Sequence, residues 1–371
     1  MASSPAGVLE LPAVDLAGWL ARGDDAEACA AIAQQLRDTG IVVVRDPRVP
    51  EAANDDFLDM LERYWEQPPD ATAPDEHPEI HYQVGRTPSG VELPRNHCAR
   101  FKAAQPADQP LTPCPPEKDA KGRFFWRIGA QPATTAFPLL NAPPVVPAAF
   151  AAEWARTMDG WGGALLGTAL AVAEMLAVGL GLPADALTAR MAGAPHLLAP
   201  TASDLRVHGA RGTVLAGVHY DLNFLSVHGR SRFPGLYVWT RAGARVAVRL
   251  PPGCLLLQAG KQLEHVTGGH VAAGFHEVVV DDGALAAVAA AAAAGRSRVR
   301  ISSTLFAHLA SDVLLAPLGR FAADAAAVAA YPPTLCGDHV AAELRAINLA
   351  AGGGAGGAGG DGSEPAAVAA M

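Results

Sequence analysis

Two histidines and one carboxylate form the clearest chemical pattern in this sequence. His219 and Asp221 stand two residues apart, and His276 follows in the string AGFHEVVV. Imidazole and carboxylate donors together suit Fe(II), and three protein ligands leave other coordination positions open for a co-substrate and O2. The sequence therefore predicts an iron site formed by His219, Asp221 and His276.

The strands expected around these residues explain how they reach one metal. Alternate residues of a strand point to the same face, so His219 and Asp221 are predicted to project together from one strand. His276 precedes Val278-Val279-Val280, a β-branched run typical of a buried strand. We expect that second strand to fold back over the first.

A third element, Arg300-Ile301-Ser302, follows the distal histidine. A guanidinium fork and a hydroxyl group two residues apart are suited to holding a carboxylate. The strand-like run from Ile301 to Phe306 predicts that alternate side chains face inward. Arg300 and Ser302 are therefore candidate residues for binding an organic acid.

These motifs resemble the isopenicillin-N-synthase-like branch of the 2-oxoglutarate/Fe(II)-dependent dioxygenases. The resemblance extends over residues 8–310 and is strongest from 197 to 308. The segments that carry it are 217–225 (GVHYDLNFL), 234–239 (PGLYVW), 256–264 (LLQAGKQLE), 11–16 (LPAVDL) and 39–44 (TGIVVV).

The resemblance implies a site, a set of cofactors and a reaction. His219, Asp221 and His276 would bind Fe(II), and Arg300 and Ser302 would bind the far carboxylate of 2-oxoglutarate. O2 would be the oxidant, with ascorbate as a candidate reductant. A small organic substrate would be oxidised at a C–H bond, with release of succinate and CO2.

The sequence departs from the family pattern at two places. The stretch 197–201 (LLAPT) has no Tyr where the family has one that helps to hold 2-oxoglutarate. The interval between His276 and Arg300 is longer than usual, because it contains an alanine-rich piece, 283–295. Alanine is the best helix former, so this piece is predicted to be a surface helix inserted in a hairpin loop.

Other histidines compete for these roles. His265 and His270 lie in a string with a Gly-Gly pair, which predicts a loop rather than a packed strand. His228 lies among Gly, Arg and Ser residues, and we expect a solvated or loop-bonded side chain. His208 is predicted to be a hydrogen-bonded loop residue, with a place in the pocket as the alternative.

Composition limits the function classes. The chain has 371 residues, half of them hydrophobic, and a net charge of −9 without a basic stripe, so no nucleic-acid partner is expected. Five scattered cysteines form no CxxC motif. They predict no disulfide framework, a reducing compartment and a cytoplasmic location, and no signal peptide is recognised.

The apolar stretch 162–182 predicts a buried helix rather than a membrane span, so no membrane partner is expected. This helix could extend back to residue 148, with an interruption at 160–163. Other helices are predicted at 25–38, 50–64 and within 321–350, where they pack outside, and a strand is predicted at 41–45. The stretch 67–143 is expected to be irregular and to form substrate loops.

Together these features predict an α+β fold, a double-stranded β-helix (jelly-roll, cupin-like) core flanked by helices. The predicted units are an N-terminal region, 1–146, a helix plus jelly-roll oxygenase domain, 147–346, and a disordered Gly/Ala-rich tail, 347–371. The oligomeric state is left open.

Three functions are compatible with the sequence. The leading hypothesis is a 2-oxoglutarate-dependent oxygenase. The second is an oxidative cyclase like isopenicillin N synthase, which uses iron and O2 without 2-oxoglutarate. The third is a non-catalytic jelly-roll binding protein.

Overall fold

The computed structural model describes residues 7–347, and the predicted tail lies outside this range except for Ile347. Seventeen strands are present in the described part of the chain. They are β1 Gly7–Leu9, β2 Val14–Asp15, β3 Ile41–Arg45, β4 Gly85–Thr87, β5 Gly122–Ile128, β6 His196–Leu198, β7 Thr201–Asp204, β8 Val214–His219, β9 Leu225–His228, β10 Leu236–Trp239, β11 Arg245–Val248, β12 Leu255–Ala259, β13 His276–Val279, β14 Val299–Ser302, β15 Thr304–Ala307, β16 Leu314–Leu315 and β17 Thr334–Leu335.

Ten α-helices accompany the strands within residues 7–347. They are α1 Ala17–Arg22, α2 Ala26–Thr39, α3 Glu51–Trp65, α4 Pro69–Thr72, α5 Cys98–Phe101, α6 Trp154–Gly179, α7 Lys261–Val266, α8 Asp282–Ala293, α9 Ala325–Ala330 and α10 Cys336–Ala346. The helices predicted at 25–38 and 50–64 and the strand predicted at 41–45 are confirmed.

The strands form two large sheets that face each other. The minor sheet has the order β1-β11-β10-β13-β8. The major sheet has the order β14-β7-β5-β6-β15-β9-β12-β3-β2, with β4 paired to β5. The α+β jelly-roll prediction is confirmed.

Strand β3 shows how the layers are assembled. Its residues Val42 and Val44 pack into the helical core with α2, α3 and α6. Ile41 and Val43 point to the opposite face and pack against Val238 of the minor sheet. Because both faces of β3 are covered, its sequence is continuously apolar rather than alternating.

Helix α6 is the main support of the major sheet. By length and composition it could cross a membrane, but much of it is packed into the protein core, as predicted. The predicted interruption at 160–163 is wrong, since the helix runs unbroken from Trp154 to Gly179. Gly162 lies directly against Ile128 of β5, where a Cβ atom would collide, so this glycine permits close packing instead of breaking the helix.

Two stretches differ from the prediction. The region 67–143 is not irregular throughout, because β5 is a fully buried strand of the major sheet. The region 321–350 is divided into α9 and α10, since Pro332 and Pro333 cannot continue a helix. Helix α10 does not pack only outside, because Val340 and Leu344 line the large internal cavity.

The cysteine prediction is also corrected. Cys98 and Cys114 form a disulfide, whereas Cys29, Cys254 and Cys336 are free and buried. The bridge closes a loop whose residues Leu111 and Thr112 donate backbone hydrogen bonds to the Glu277 carboxylate of β13. Sequence spacing alone did not reveal this pairing. The cytoplasmic location predicted from the cysteines stays a prediction.

The alanine-rich piece forms α8, as predicted, but it is not part of a hairpin. It connects β13 of the minor sheet to β14 at the edge of the major sheet. Asp281 caps the helix by accepting a hydrogen bond of 2.8 Å from the Ala284 backbone N–H. Its inner face, including Val288, packs against Phe233 and Val280. No α8 residue lines the internal cavity.

We predict that Ala290→Gly, on the exposed face of α8, lowers the free energy of unfolding by about 1 kcal/mol through helix propensity alone. Urea unfolding measures this loss. Iron content after anaerobic reconstitution should equal that of the wild type, because the helix does not border the cavity. A clear fall in bound iron would contradict this separation of α8 from the site.

The buried histidines predict that the folded protein becomes less stable as the pH falls. Burial lowers the pKa of His196 to about 4 and that of His308 to about 3. In the unfolded chain both titrate near 6.5, so the unfolded state binds more protons as the pH falls. The free energy of unfolding therefore has its full value above about pH 6.5. It falls as the pH drops towards 4, by up to roughly 1.4 kcal/mol per pH unit for each histidine.

Urea unfolding of the metal-free protein at about pH 7 and about pH 5 measures this effect. His308→Gln should reduce the difference between the two conditions, whereas His208→Gln, in a surface turn, serves as the control. Equal stability of the wild type at both pH values would contradict the prediction.

Candidate metal centre

The minor sheet brings the two predicted histidine ligands side by side. His219 is the last residue of β8 and pairs directly with His276, the first residue of β13. Their ring centroids are 4.1 Å apart. The Asp221 Oδ1 atom lies 3.8 Å from Nε2 of His219 and 3.9 Å from Nε2 of His276. These three groups could hold one metal ion, with the ligand atoms all within 4.8 Å of one another.

The position of Asp221 differs from the prediction in one respect. Strand β8 ends at His219, so Asp221 lies in the turn beyond it rather than on the same strand face. Ser226 of β9 holds the carboxylate in place by donating a hydrogen bond of 2.5 Å to Oδ2. The contact leaves Oδ1 directed towards the histidines. The major sheet therefore orients a ligand that follows a strand of the minor sheet.

Hydrogen bonds also orient the imidazoles. His219 Nδ1 lies 2.6 Å from the Gly217 carbonyl oxygen, so Nδ1 carries the proton and Nε2 keeps its lone pair. His276 Nδ1 lies 2.9 Å from the side-chain nitrogen of Gln258 and 3.5 Å from the Gly274 carbonyl oxygen.

Burial and charge set the protonation of the site. Burial lowers the pKa of His219 to about 3, and His276 and Lys121 act in the same direction. Burial alone would raise the pKa of Asp221, but His276 and His219 outweigh it and hold the pKa below its usual value. A neutral imidazole and an ionised carboxylate are the forms that bind metals.

Arg300 lies on β14 and lines the same cavity as the three ligand candidates. Its Nε atom donates a hydrogen bond of 3.1 Å to the Phe233 carbonyl oxygen, which fixes the guanidinium group. The side chain is buried and makes no ion pair within 4 Å among residues 7–347, although Asp281 acts on it electrostatically from farther away. Burial lowers its pKa to about 10, so the group is still a cation at neutral pH. A buried, unpaired cation beside a cavity is suited to binding an anion.

Ser302 lies next to Thr201 in the paired strands β14 and β7. Its Oγ atom accepts a hydrogen bond of 3.1 Å from the Thr201 backbone N–H and lies 2.5 Å from Thr201 Oγ1. The stretch 197–201, which lacks the expected Tyr, therefore contributes the hydroxyl group of Thr201 instead. Both Ala199 and Thr201 line the cavity, as do Arg300 and Ser302.

The cavity between the sheets has a volume of about 530 Å³. Its apolar wall includes side chains from both sheets and from α10. These elements and the segments that connect them contribute Leu93, Pro94, Phe125, Leu197, Leu222, Leu236, Val248, Leu250, Leu256, Val278, Phe306, Val340 and Leu344, among others.

A buried charge network forms the wall beside His219. Lys121 pairs with Asp119 and lies 3.1 Å from Glu92, which also pairs with Arg123. Asp119 accepts a hydrogen bond of 2.8 Å from the Gly217 backbone N–H and so anchors β8. Burial alone would lower the pKa of Lys121, but the two carboxylates outweigh it and raise the pKa.

Three of the competing histidines do not line the cavity. His265 is in α7, not in a loop as predicted, and its Nε2 atom lies 3.1 Å from the Pro332 carbonyl oxygen. His270 packs against Phe321, away from the three ligand candidates. His208 lies in the turn after β7 and is not among the residues that line the cavity.

His228 is the residue that sequence reasoning misplaced. It is the last residue of β9 and lines the cavity rather than lying in a solvated loop. Its Nδ1 atom lies 3.1 Å from Thr304 Oγ1. The available signal was alternation along β9, since Ser226 and His228 lie on the same strand face. The Gly, Arg and Ser residues that follow β9 are typical of a loop and so obscure this alternation.

Comparisons with known proteins agree with this architecture. No family model matches the sequence. The chain is 29% identical over 203 residues to leucoanthocyanidin dioxygenase 1 of Oryza sativa subsp. indica, a match that covers 52% of this chain and 50% of the rice protein. The matched region thus spans about half the length of the curated relatives.

Solved structures align over much more of the chain. A Caulobacter crescentus protein assigned to the 2OG-Fe(II) oxygenase family has a TM-score of 0.68 at 21% identity, covering 92% of this chain and 99% of that one. A full-length Neurospora crassa protein, solved in complex with α-KG and 5-formyluracil, has a TM-score of 0.70 at 16% identity, covering 93% and 100%. The chain has the fold of the 2-oxoglutarate/Fe(II)-dependent oxygenase superfamily.

Proposed function

We propose that this protein is a 2-oxoglutarate- and Fe(II)-dependent oxygenase of a small organic molecule. The observation that carries the proposal is that one cavity is bordered both by a possible metal-binding group and by a possible anion-binding group. Two imidazoles and a carboxylate converge at one place, and an unpaired buried guanidinium group borders the same cavity. A metal ion would bind to the first group, and a dicarboxylate co-substrate would compensate the charge of the guanidinium group.

The residues present fit these two groups. Nε2 of His219, Nε2 of His276 and Oδ1 of Asp221 would hold Fe(II), a donor set that this ion favours. Arg300 would bind the far carboxylate of 2-oxoglutarate, with Ser302 adding a hydroxyl contact. When bound, the iron and the co-substrate together would supply the oxidation of a substrate C–H bond by O2.

The protein's own contribution is positioning and exclusion of water. Gly217 and Ser226 fix the orientation of His219 and Asp221, so the free ligand atoms converge before metal arrives. The apolar cavity wall would exclude water and hold the substrate near the metal. Such a wall is typical of sites for small, largely apolar molecules.

The substrate class follows from the cavity rather than from any one relative. Solved neighbours include the Neurospora crassa protein with thymine and JOX2 with 2OG, Fe and JA, so similar folds accommodate different small molecules. For this chain we propose a largely apolar small molecule. A nucleic-acid substrate is disfavoured by the net charge of −9.

The absence of a Tyr at 197–201 keeps the oxidative cyclase as a second candidate. Ala199 and Thr201 border the cavity instead, so one contact that the family pattern implies for 2-oxoglutarate is missing. Succinate formation separates the two functions, because the cyclase reaction does not consume 2-oxoglutarate. A binding protein without catalysis would form no oxidised product in either case.

A succinate-release assay across a panel of small metabolites tests the proposal. The protein is reconstituted anaerobically with Fe(II), then supplied with 2-oxoglutarate, ascorbate and O2, and uncoupled turnover without substrate is the blank. We predict substrate-dependent succinate release by the wild type. Asp221→Ala should abolish it and weaken iron binding by roughly a hundredfold or more, since even outer partners of metal ligands are worth 10–100-fold.

Asp185→Ala removes an exposed carboxylate and is the matched control, with unchanged iron content and turnover expected. Circular dichroism should show that both variants are folded. Full iron occupancy together with normal activity in Asp221→Ala would rule out the proposed ligand set.

We further predict that Arg300→Lys raises the apparent KM for 2-oxoglutarate at least about tenfold. Lys cannot reproduce the planar two-point contact of a guanidinium group, and loss of a buried charged partner costs roughly 2–5 kcal/mol. Iron affinity should change little. Arg296→Lys, at an exposed position, is the control. An unchanged KM with failed binding of the prime substrate would favour the cyclase instead.

A further inference from the structure

The Cys98–Cys114 disulfide lies where a reagent in solution can reach it. Cys114 is exposed and Cys98 is half-buried, whereas the other three cysteines are free and buried in the protein core. A disulfide opens when a thiolate attacks one of its sulfur atoms, so exposed bridges are the labile ones. The bridge is therefore accessible to thiol–disulfide exchange in the folded protein.

The loop that the bridge closes covers the outer face of the minor sheet. Phe101 of this loop packs against Trp239 and Phe275, with ring centroids 5.1 and 5.6 Å away. The Trp239 indole N–H also donates a hydrogen bond of 2.7 Å to the Asp108 carbonyl oxygen of the loop. These aromatic residues do not line the cavity. The loop therefore lies on the side of the sheet that faces away from the metal centre.

Thr112 of the loop joins the two strands that carry the proposed histidine ligands. Its hydroxyl group accepts a hydrogen bond of 2.7 Å from the Val218 backbone N–H of β8. The same hydroxyl group donates a hydrogen bond of 3.0 Å to the Glu277 carboxylate of β13. Val218 directly precedes His219, and Glu277 directly follows His276. One side chain of the loop thus connects the two strands directly behind the proposed ligands.

Strand β8 depends on such contacts because it is the edge strand of the minor sheet. An edge strand presents backbone groups that no second neighbouring strand binds. Side chains take that role here. Asp119 accepts a hydrogen bond of 2.8 Å from the Gly217 backbone N–H, and Thr112 binds the next N–H along the strand. Both side chains belong to the segment 111–119, so fixing Cys114 holds the segment that covers the edge of β8.

The Glu277 carboxylate is completely buried under the loop. It accepts backbone hydrogen bonds from Leu111 at 3.1 Å and Thr112 at 3.3 Å, and it pairs with Arg245 at 2.7 Å. A buried carboxylate that loses its donors is destabilised. Opening of the loop would therefore bring water to Glu277 and release the part of β13 that begins with His276.

We propose that the Cys98–Cys114 bridge is a reversible redox-modification site that controls the metal centre. In the disulfide form, the bridged loop clamps β8 to β13. In the dithiol form, the loop opens more often, and the two strands hold the metal ligands less firmly. The inference rests on the metal site of the proposed function, but not on the substrate or on the reaction catalysed.

The redox step balances with a dithiol as the reductant. A thiolate of the reductant attacks the exposed Cys114 sulfur, the S–S bond breaks, and Cys98 leaves as a thiolate that takes up a proton. The second thiol group of the reductant then attacks the mixed disulfide and releases Cys114 as a thiol. Two electrons and two protons pass to the protein, and the reductant leaves as a disulfide. A disulfide oxidant reverses the reaction.

Thiol labelling under native conditions tests whether the bridge opens in the folded protein. The metal-free full chain is treated with dithiothreitol, desalted without oxygen and labelled with a maleimide. We expect mass spectrometry to find labels on Cys98 and Cys114 and none on the three buried cysteines. The untreated protein should take up no label. A bridge that can be reduced only after denaturation would overturn the proposal.

Hydrogen exchange measures the clamp without any metal. The amides of Thr112, Gly217 and Val218 report on it, because side chains bind them in the disulfide form. Closing a loop of this length is worth up to roughly a hundredfold in an opening equilibrium, so reduction should speed their exchange by up to that factor. The Cys98→Ser/Cys114→Ser protein should show the fast rates with and without dithiothreitol. Equal rates in the disulfide and dithiol forms would overturn the clamp.

Zinc affinity tests the link to the metal centre, with Zn(II) as a redox-inert probe. Reduction, followed by removal of dithiothreitol, should weaken zinc binding by roughly tenfold, the lower end of the range for outer partners of metal ligands. The Cys98→Ser/Cys114→Ser protein should bind zinc as the reduced wild type does. Because this variant has no thiol at either position, it also separates the effect from zinc binding by the reduced cysteines. An affinity that does not change on reduction would overturn the control of the metal centre.

Thr112→Val tests the path from the bridge to the ligands. It removes the hydroxyl group that joins the two strands and keeps the shape of the side chain. We expect weaker zinc binding in the disulfide form and a smaller further loss on reduction. Thr134→Val, at an exposed position in another loop, is the matched control and should respond to reduction as the wild type does.

The melting temperature of each metal-free form separates this role from a structural one. A bridge that only stabilises the fold would lower the melting temperature on reduction and leave zinc affinity unchanged, and this result would overturn the proposal. Failure of zinc to bind in either form would instead contradict the proposed metal site. The exchange rates of the metal-free protein would then still decide whether the clamp exists.

Discussion

The direct pairing of His219 with His276 across β8 and β13 is the constraint on which the site depends. It places two imidazoles 4.1 Å apart on the cavity side of the minor sheet. Asp221 completes the group, and Ser226, on the opposite sheet, donates a hydrogen bond that holds its carboxylate. The candidate centre therefore requires the two sheets to keep their relative position. The helices behind the major sheet stabilise that position by burying the other face of the major sheet.

Charge pairing distinguishes Arg300 from the other cations of the cavity wall. Arg300 is buried without a carboxylate partner among residues 7–347, although Lys121 and Arg123 nearby are both paired with acidic groups. The difference matters because a buried cation is costly unless an anion compensates it. The wall beside His219 is thus a neutral support, whereas the charge of Arg300 would be compensated by the acidic ligand that we propose. A dicarboxylate that reaches from Arg300 to the metal would connect the two groups.

The sequence indicates the candidate groups of the site more readily than the contacts that position them. Side-chain type and spacing single out His219, Asp221 and His276, which the structure brings together, and Arg300, which lines the same cavity. The runs of apolar residues predict α2, α3 and β3. Contacts between distant segments cannot be predicted from the sequence, since they depend on how the strands pair. Thus the local sequence predicts a loop at His228, gives no sign of the Cys98–Cys114 bridge and predicts α8 in a hairpin, although α8 joins two sheets.

The central claim is that one cavity binds both a metal and, at Arg300, the far carboxylate of 2-oxoglutarate. A crystal structure of the anaerobic protein with Mn(II) and 2-oxoglutarate tests it most directly. We predict the metal on Nε2 of His219, Nε2 of His276 and Oδ1 of Asp221, with the far carboxylate on Arg300. Metal bound elsewhere, or 2-oxoglutarate held away from Arg300, would contradict this account.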